Sequence, residues 1–257
     1  MDVTGAHCSP PEIGNGSPVD LKGQPSEDRN GNATKMKHSR PGRILNRFHP
    51  GNRPSNTTKA LLIGQSGVVT TVAVVLAAGA GSRFSGPTHK LLAPLGAETG
   101  TDTVAGRAIG AARTAAIGPV IVVVGAVDLP AEVTDGCRVV RNPYWAEGQA
   151  SSVQCALATA RELDADVVVI GLADQPFVTP EAWRAVAAST SPIAVATYDG
   201  VRGNPVRLHE SVWSLLPVSG DSGARDLIRL RPELVSEVAC AGSSADIDTQ
   251  EDLDSWT

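Results

Sequence analysis

Three groups of residues in this 257-residue chain have the types and spacing for charge chemistry. The first is Gly79-Ala-Gly81-Ser-Arg83, with Lys90 beyond it, after the apolar run Val72-Ala-Val-Val-Leu76. Small residues let backbone N–H groups approach a ligand without Cβ obstruction. Arg83 and Lys90 supply countercharge for phosphates, and Lys90 is the only lysine after residue 59. The second is Asp174, just beyond the apolar run Val167–Ile170. The third is Ala245-Asp246-Ile-Asp248-Thr249-Gln-Glu-Asp252. Carboxylates facing bound phosphates repel them unless a divalent cation lies between, and Mg²⁺ takes one or two carboxylates plus phosphate oxygens and water. Asp246 and Asp248 alternate along an extended segment and point to opposite faces. One of them can readily join Asp174, and the position relative to the following helix favours Asp248. Thr249 and Asp252 read as a capping box for that helix. The plainer uses of these residues are a glycine-rich turn and an aspartate that closes a turn before Pro176.

Two further segments could contact organic groups. In Asn142-Pro-Tyr-Trp-Ala-Glu-Gly148-Gln-Ala-Ser151-Ser152, serines open an alanine-rich helix. Their hydroxyls and the free N–H groups of a helix start can bond a base or ribose, or simply cap the helix. Arg202-Gly-Asn204-Pro-Val206 and Gly220-Asp221-Ser-Gly-Ala-Arg225 supply two arginines for an anion, or else are β-turns in loops. The glycine loop is not a P-loop, and Phe84 stands where a dinucleotide fingerprint needs its third glycine.

Positioning such residues requires alternating strands and helices. The pattern predicts strands at 72–76, 120–124, 138–141, 167–170, 193–198, 205–208 and 234–238. Helical segments are expected at 104–117, 150–163, 180–189, 211–216, 224–230 and 251–256, with Thr179 capping the third. Continuous apolar strands between helices indicate a Rossmann-like three-layer α/β/α domain with a mostly parallel sheet. Ligands in such sheets bind beyond the carboxyl ends of the strands, where the glycine loop and Asp174 both fall.

Charge and composition divide the chain. Residues 1–70 carry 9 Lys+Arg and 5 Asp+Glu, whereas 71–257 carry 13 and 22. Gly, Pro, Asn and Ser make up 28 of the first 70 residues, too many to build a packed core. The expected organisation is a disordered N-terminal extension, 1–70, and one folded domain, 71–257. The only methionines are Met1 and Met36, so a start at a valine codon near Val68, Val69 or Val72 is one explanation of the extension. An acidic domain is a poor surface for nucleic acid. No apolar run reaches the ~18 residues of a membrane span. Cys8, Cys137, Cys155 and Cys240 lack metal-ligand spacing and are too sparse for a disulfide framework, which fits a cytoplasmic protein.

From about residue 71 to its end, the chain resembles the MobA-like nucleotidyltransferases, and within them the molybdenum cofactor cytidylyltransferases. Leu76-Ala77-Ala78-Gly79-x-Gly81-x-Arg83 with Lys90-Leu-Leu is similar to the family's signature loop. Asp174-Gln-Pro and Asp246-Ile-Asp248 resemble its metal-binding motifs, and Gly148 to Leu157 its nucleotide-facing helix start. The resemblance implies catalysis by Arg83, Lys90 and Asp174, with Mg²⁺ on Asp174 and Asp248. It implies nucleotide contacts from Leu76 to Gly79, Gly81, Arg83, Lys90, Ser151 and Ser152, with Ser152 ahead of Ser151. It also places Arg202, Asn204, Asp221 and Arg225 around a molybdopterin acceptor, with a molybdenum hydroxylase as recipient of the product. Guanylyl-transferring relatives carry Leu-Ala-Gly-Gly, so the methyl of Ala78 argues for the smaller base of CTP. The rivals are a sugar 1-phosphate as acceptor and a non-catalytic nucleotide-binding accessory protein. The chain departs from the family pattern at Asn204, where the family has histidine. It departs also at Gln250, where the family has proline, and in six residues between Arg83 and Lys90. Gly171 is set apart from Asp174 by Leu172 and Ala173.

Overall fold

In a computed structural model of the chain, the described residues are 6–7, 69–96 and 102–256. The strands are β1 (Ala6–His7), β2 (Thr71–Ala77), β3 (Val120–Val124), β4 (Arg138–Arg141), β5 (Val167–Leu172), β6 (Ile193–Tyr198), β7 (Val201–His209) and β8 (Val235–Ala239). They form one sheet in the order β1-β4-β3-β2-β5-β7-β6-β8. Only β7 runs against its neighbours β5 and β6; every other pairing is parallel. The helices are α1 (Val104–Ala115), α2 (Ala131–Thr134), α3 (Gln149–Glu162), α4 (Pro180–Ala187), α5 (Arg225–Leu230) and α6 (Gln250–Asp254).

Alternation along β2 divides its side chains between two cores, because successive strand residues face opposite sides of the sheet. Ala73, Val75 and Ala77 join Ile109 of α1 and Trp183 of α4. Val72, Val74 and Leu76 join Leu157 of α3 and Ile228 of α5. The sheet is therefore covered on both faces, and β2 and β5 at its centre bury nearly every side chain.

Two expectations need correction. Arg202–Val206 is not a β-turn: it lies inside β7, which extends four residues ahead of the expected strand. Pro205 is tolerated there because the β6–β7 register shifts between Val195 and Ala196, and an irregular register spares the ladder bond that proline cannot make. The expected helix at 211–216 is a 3₁₀ segment, Glu210–Leu215. Within the 1–70 segment, Ala6–His7 forms the edge strand β1, which pairs with β4. The rest of the expected N-terminal extension, up to residue 68, lies outside the described residues.

Candidate active site

The glycine loop leaves β2 with its neighbours already tied to it. Ala173 N–H donates to the Leu76 carbonyl at 3.0 Å, and Ala126 N–H to the Ala78 carbonyl at 3.1 Å. Gly81 adopts a φ of 60°, and a Cβ there would stand 2.9 Å from His89 Nε2, so glycine serves both conformation and space. His89 accepts from Leu91 N–H through Nδ1 at 3.3 Å. It thereby caps the single 3₁₀ turn Lys90–Leu92, which aims Lys90 back toward the loop.

Lys90 joins the two carboxylates that were singled out. Its Nζ lies 2.7 Å from Asp174 Oδ2 and 2.7 Å from Asp248 Oδ1, and Arg83 Nη2 lies 2.8 Å from Asp248 Oδ2. Burial opposes charge on Lys90, but the Asp174 and Asp248 carboxylates outweigh it and hold the ammonium above the ordinary lysine range. Backbone contacts fix the pair: Ile247 N–H donates to the Asp174 carbonyl at 2.9 Å. Asp248 N–H and Thr249 N–H both donate to Asp252 Oδ2, at 3.0 and 2.8 Å, and Thr249 Oγ1 accepts from Asp252 N–H at 3.1 Å. The expected capping box of α6 is present and orients Asp248.

Ile247 is fully buried, so Asp246 and Asp248 leave the segment on opposite sides. Asp246 turns to Gln175, whose Nε2 donates to Asp246 Oδ1 at 2.7 Å. Burial raises the Asp246 carboxyl above its ordinary range, and the charge of nearby Asp174 adds to the effect.

Three cavities meet at the carboxyl ends of β2 and β5. One of about 220 Å³ is lined by Gly79, Gly81, Arg83, Lys90, Asp174 and Asp248, with Leu76 and Ala77 at its floor. A second of about 360 Å³ lies between Ala78–Ala80 and Trp145, Gly148, Ser152 and Asp221. The third, about 610 Å³, has an apolar wall that includes Ile170, Val206 and Ile228, with Arg202, Asn204, Arg225 and Arg229 around it. Leu76 borders all three.

The residues expected on the helix start separate. Ser152 borders the 360 Å³ cavity. Ser151 is committed inward: its Oγ lies 2.9 Å from the Tyr144 carbonyl, 2.8 Å from the Gly148 carbonyl and 2.9 Å from Asn142 Nδ2. Asp221 stands apart from the other expected acceptor residues and shares the cavity of Ala78 and Ser152. The reason is the docking of its loop on α3. Gly220 N–H donates to the Glu147 carbonyl at 3.0 Å, and Ala150 N–H to the Gly220 carbonyl at 2.9 Å. Gly148, with φ of 101°, permits this approach, since a Cβ there would lie 2.5 Å from the Gly220 carbonyl carbon. Residues 220–225 thus divide the second cavity from the third: Asp221 faces one, Ser222 and Arg225 the other.

Sequence reading missed Trp145, Gln175 and Arg229. Arg229 had a signal, because it stands four residues after Arg225 on a helix and shares its face. Arg202 pairs with Glu237 at 2.7 Å and Arg229 with Asp226 at 3.1 Å. The Arg225 backbone N–H donates to the Ser222 carbonyl at 2.8 Å, while its guanidinium makes no hydrogen bond or ion pair among the described residues.

The donor set suits a hard divalent cation. Asp174 and Asp248 are partly exposed carboxylates already bridged by a cationic group. No group of three His, Cys, Asp or Glu able to hold a metal occurs among the described residues. A cation on this pair would therefore need further oxygens from phosphate or water. No helix among the described residues is long and apolar enough to cross a membrane.

Residues 73–238 match the family of MobA-like NTP transferase domains. The chain is 30% identical over 212 residues to nicotine blue oxidoreductase of Paenarthrobacter nicotinovorans, covering 74% of this chain and 98% of that protein. It is 33% identical over 113 residues to the purine catabolism protein PucB of Bacillus subtilis, covering 42% and 55%. Among solved structures it is similar to Rv0371c of Mycobacterium tuberculosis H37Rv, with a TM-score of 0.58 and 28% identity over 73% of this chain and 97% of that one. Rv0371c is also known as a complex with manganese, which aligns with a TM-score of 0.57 and 27% identity over 73% and 98%.

Proposed function

The chain belongs to the MobA-like NTP transferase family, and from that premise we propose that it transfers CMP from CTP to molybdopterin and releases pyrophosphate. The observation that carries this reading is the meeting of three cavities at Leu76, with Asp174 bordering the two smaller ones and Asp246 the largest of the three. The triphosphate fits the cavity of Arg83 and Lys90, and the cytidine fits the cavity of Ala78 and Ser152. The acceptor fits the larger cavity with Arg202, Asn204 and Arg225. Asp174 and Asp248 would hold Mg²⁺, which when bound neutralises charge on the phosphate oxygens.

In this reading a phosphate oxygen of the acceptor attacks the α-phosphorus in line. The bond to the bridging oxygen breaks, and that oxygen leaves with the electron pair as part of pyrophosphate. No side chain forms a covalent intermediate; the protein contributes position and countercharge. Lys90 enters the reaction already protonated, because its carboxylate partners favour the ammonium. Arg83, far more exposed, meets the outer phosphates as a fork of donors. A molybdenum hydroxylase would receive the dinucleotide product.

Incubating the protein with Mg²⁺, either molybdopterin or a sugar 1-phosphate, and each of the four nucleoside triphosphates, and measuring pyrophosphate, tests the proposal. Release with CTP is expected. Release with GTP alone would reassign the base, and release only with a sugar 1-phosphate would reassign the acceptor. Binding of Mg²⁺ and CTP without turnover would make the protein a nucleotide-binding accessory.

A further inference from the structure

The 610 Å³ cavity is defined down to individual atoms. Gln175, only 5% exposed, has every polar end of its amide engaged. Nε2 donates to the Ser244 carbonyl at 2.9 Å and to Asp246 Oδ1 at 2.7 Å, and Oε1 accepts from Asn204 Nδ2 at 3.1 Å. A backbone carbonyl can only accept, so the Gln175 atom against Ser244 is nitrogen whichever way the amide is drawn. Oε1 must then face Asn204, and Asn204 must meet it with its NH₂ group. Polarity passes outward through one more amide: one N–H of Asn204 Nδ2 is spent on Gln175, and the second N–H and Oδ1 are left for a ligand, Oδ1 being the acceptor atom of the pair. Oδ1 has no hydrogen-bond partner among the described residues. The backbone of Asn204 is held as well, since Tyr198 Oη donates to its carbonyl at 2.7 Å.

We propose that Asn204 Oδ1 is a specificity contact of the acceptor site, selecting an acceptor that carries an N–H or O–H donor in addition to its anionic group. Gln175 is the positioning residue that keeps this oxygen turned to the cavity. The inference rests on the reading of this cavity as the acceptor site. Arg225, Arg229, Asn204 and Asp246 line the same space. A ligand suited to it has an anionic end, a donor-bearing end and an apolar body to cover Ile170, Val206 and Ile228. An acceptor without the donor would take Oδ1 out of water and give it no partner, which disfavours binding.

The test measures binding apart from turnover. Equilibrium dialysis of molybdopterin against the full chain gives the acceptor Kd, and calorimetry gives the CTP Kd. Asn204→Ala is expected to weaken molybdopterin about tenfold, the scale of one hydrogen bond lost from a desolvated site. The CTP Kd should stay within about twofold. Gln175→Met should weaken molybdopterin in the same direction, and the double variant should be no worse than the stronger single change, because both act on one oxygen. An unchanged molybdopterin Kd in Asn204→Ala, additive losses in the double variant, or no binding by the unaltered protein each overturns the inference. If Gln175→Met does not fold, the Asn204→Ala comparison decides alone. The expected losses without any pyrophosphate release would support the inference and retire the transfer reaction, so the two readings fail separately.

Discussion

The two sides of the site are built on different plans. On one, Arg83, Lys90, Asp174 and Asp248 follow the ends of adjacent parallel strands and the start of a capped helix. Its chemistry is charge against charge, held by short-range turns. On the other, Arg202 and Asn204 sit on β7, which runs against both its neighbours, while Arg225 and Arg229 come from α5. Its chemistry is a polarity fixed by one buried amide, over an apolar wall. Under the proposed function, the first side would hold the phosphates of a nucleotide and the second would choose the partner for it.

Perturbations should separate the two sides. The largest effect belongs to Asp174→Asn, nearly isosteric but without the charge that would hold a metal. Pyrophosphate release should fall about a thousandfold, and the melting temperature should hardly move. Activity within about threefold of the unaltered protein, under ~1 kcal/mol of transition-state stabilisation, would end the metal assignment. Next is Lys90→Ala, expected to lower kcat about a hundredfold while KM for CTP changes less, because the charge it meets grows as pyrophosphate leaves. Lys90→Arg should rescue in part. An effect on acceptor KM alone would move Lys90 to the other side of the site.

Arg225→Ala probes that other side. KM for molybdopterin should rise about tenfold, with KM for CTP flat, as for the loss of one charge-assisted contact. Equal changes in both would show that the wall formed by residues 220–225 does not keep the sites apart.

The smallest effect is on stability at alkaline pH. The pKa of Lys90 lies above its ordinary value of 10.5 when folded, so its contribution is complete below that pH. It is lost as pH rises through the higher folded-state value. Denaturant titrations should therefore show the stability gap between the unaltered protein and Lys90→Met closing above pH 10.5. A gap that is constant with pH would mean that the Lys90 ammonium is not held by the carboxylates.

The contrast also explains what could be read from sequence. The phosphate side was legible because each element is a local pattern: an apolar run, small residues, then a charge. The capping box at Thr249 and Asp252 and the opposite facing of Asp246 and Asp248 follow from backbone periodicity alone. The other side was not legible to that depth. Proline and glycine in Arg202-Gly-Asn-Pro-Val suggested a turn, and pairing with β6, joined by β5 at Val206, makes it strand. Asp221 and Arg225 sit in one motif yet face different cavities, because the loop docks on α3 through Gly148. The role of Gln175 depends on Ser244 and Asp246, about seventy residues away in sequence, and no local pattern encodes that.

Leu76 borders every cavity of the site and is 8% exposed. A new side chain there would reach all three cavities at once, so under the proposed function a lineage exploring other acceptors has little freedom at this position. The freedom lies in β7 and α5, where a residue such as Arg229 touches the 610 Å³ cavity alone. Descent with a changed partner is therefore expected to leave Leu76 and the loop after it intact while the sequences of β7 and α5 drift apart.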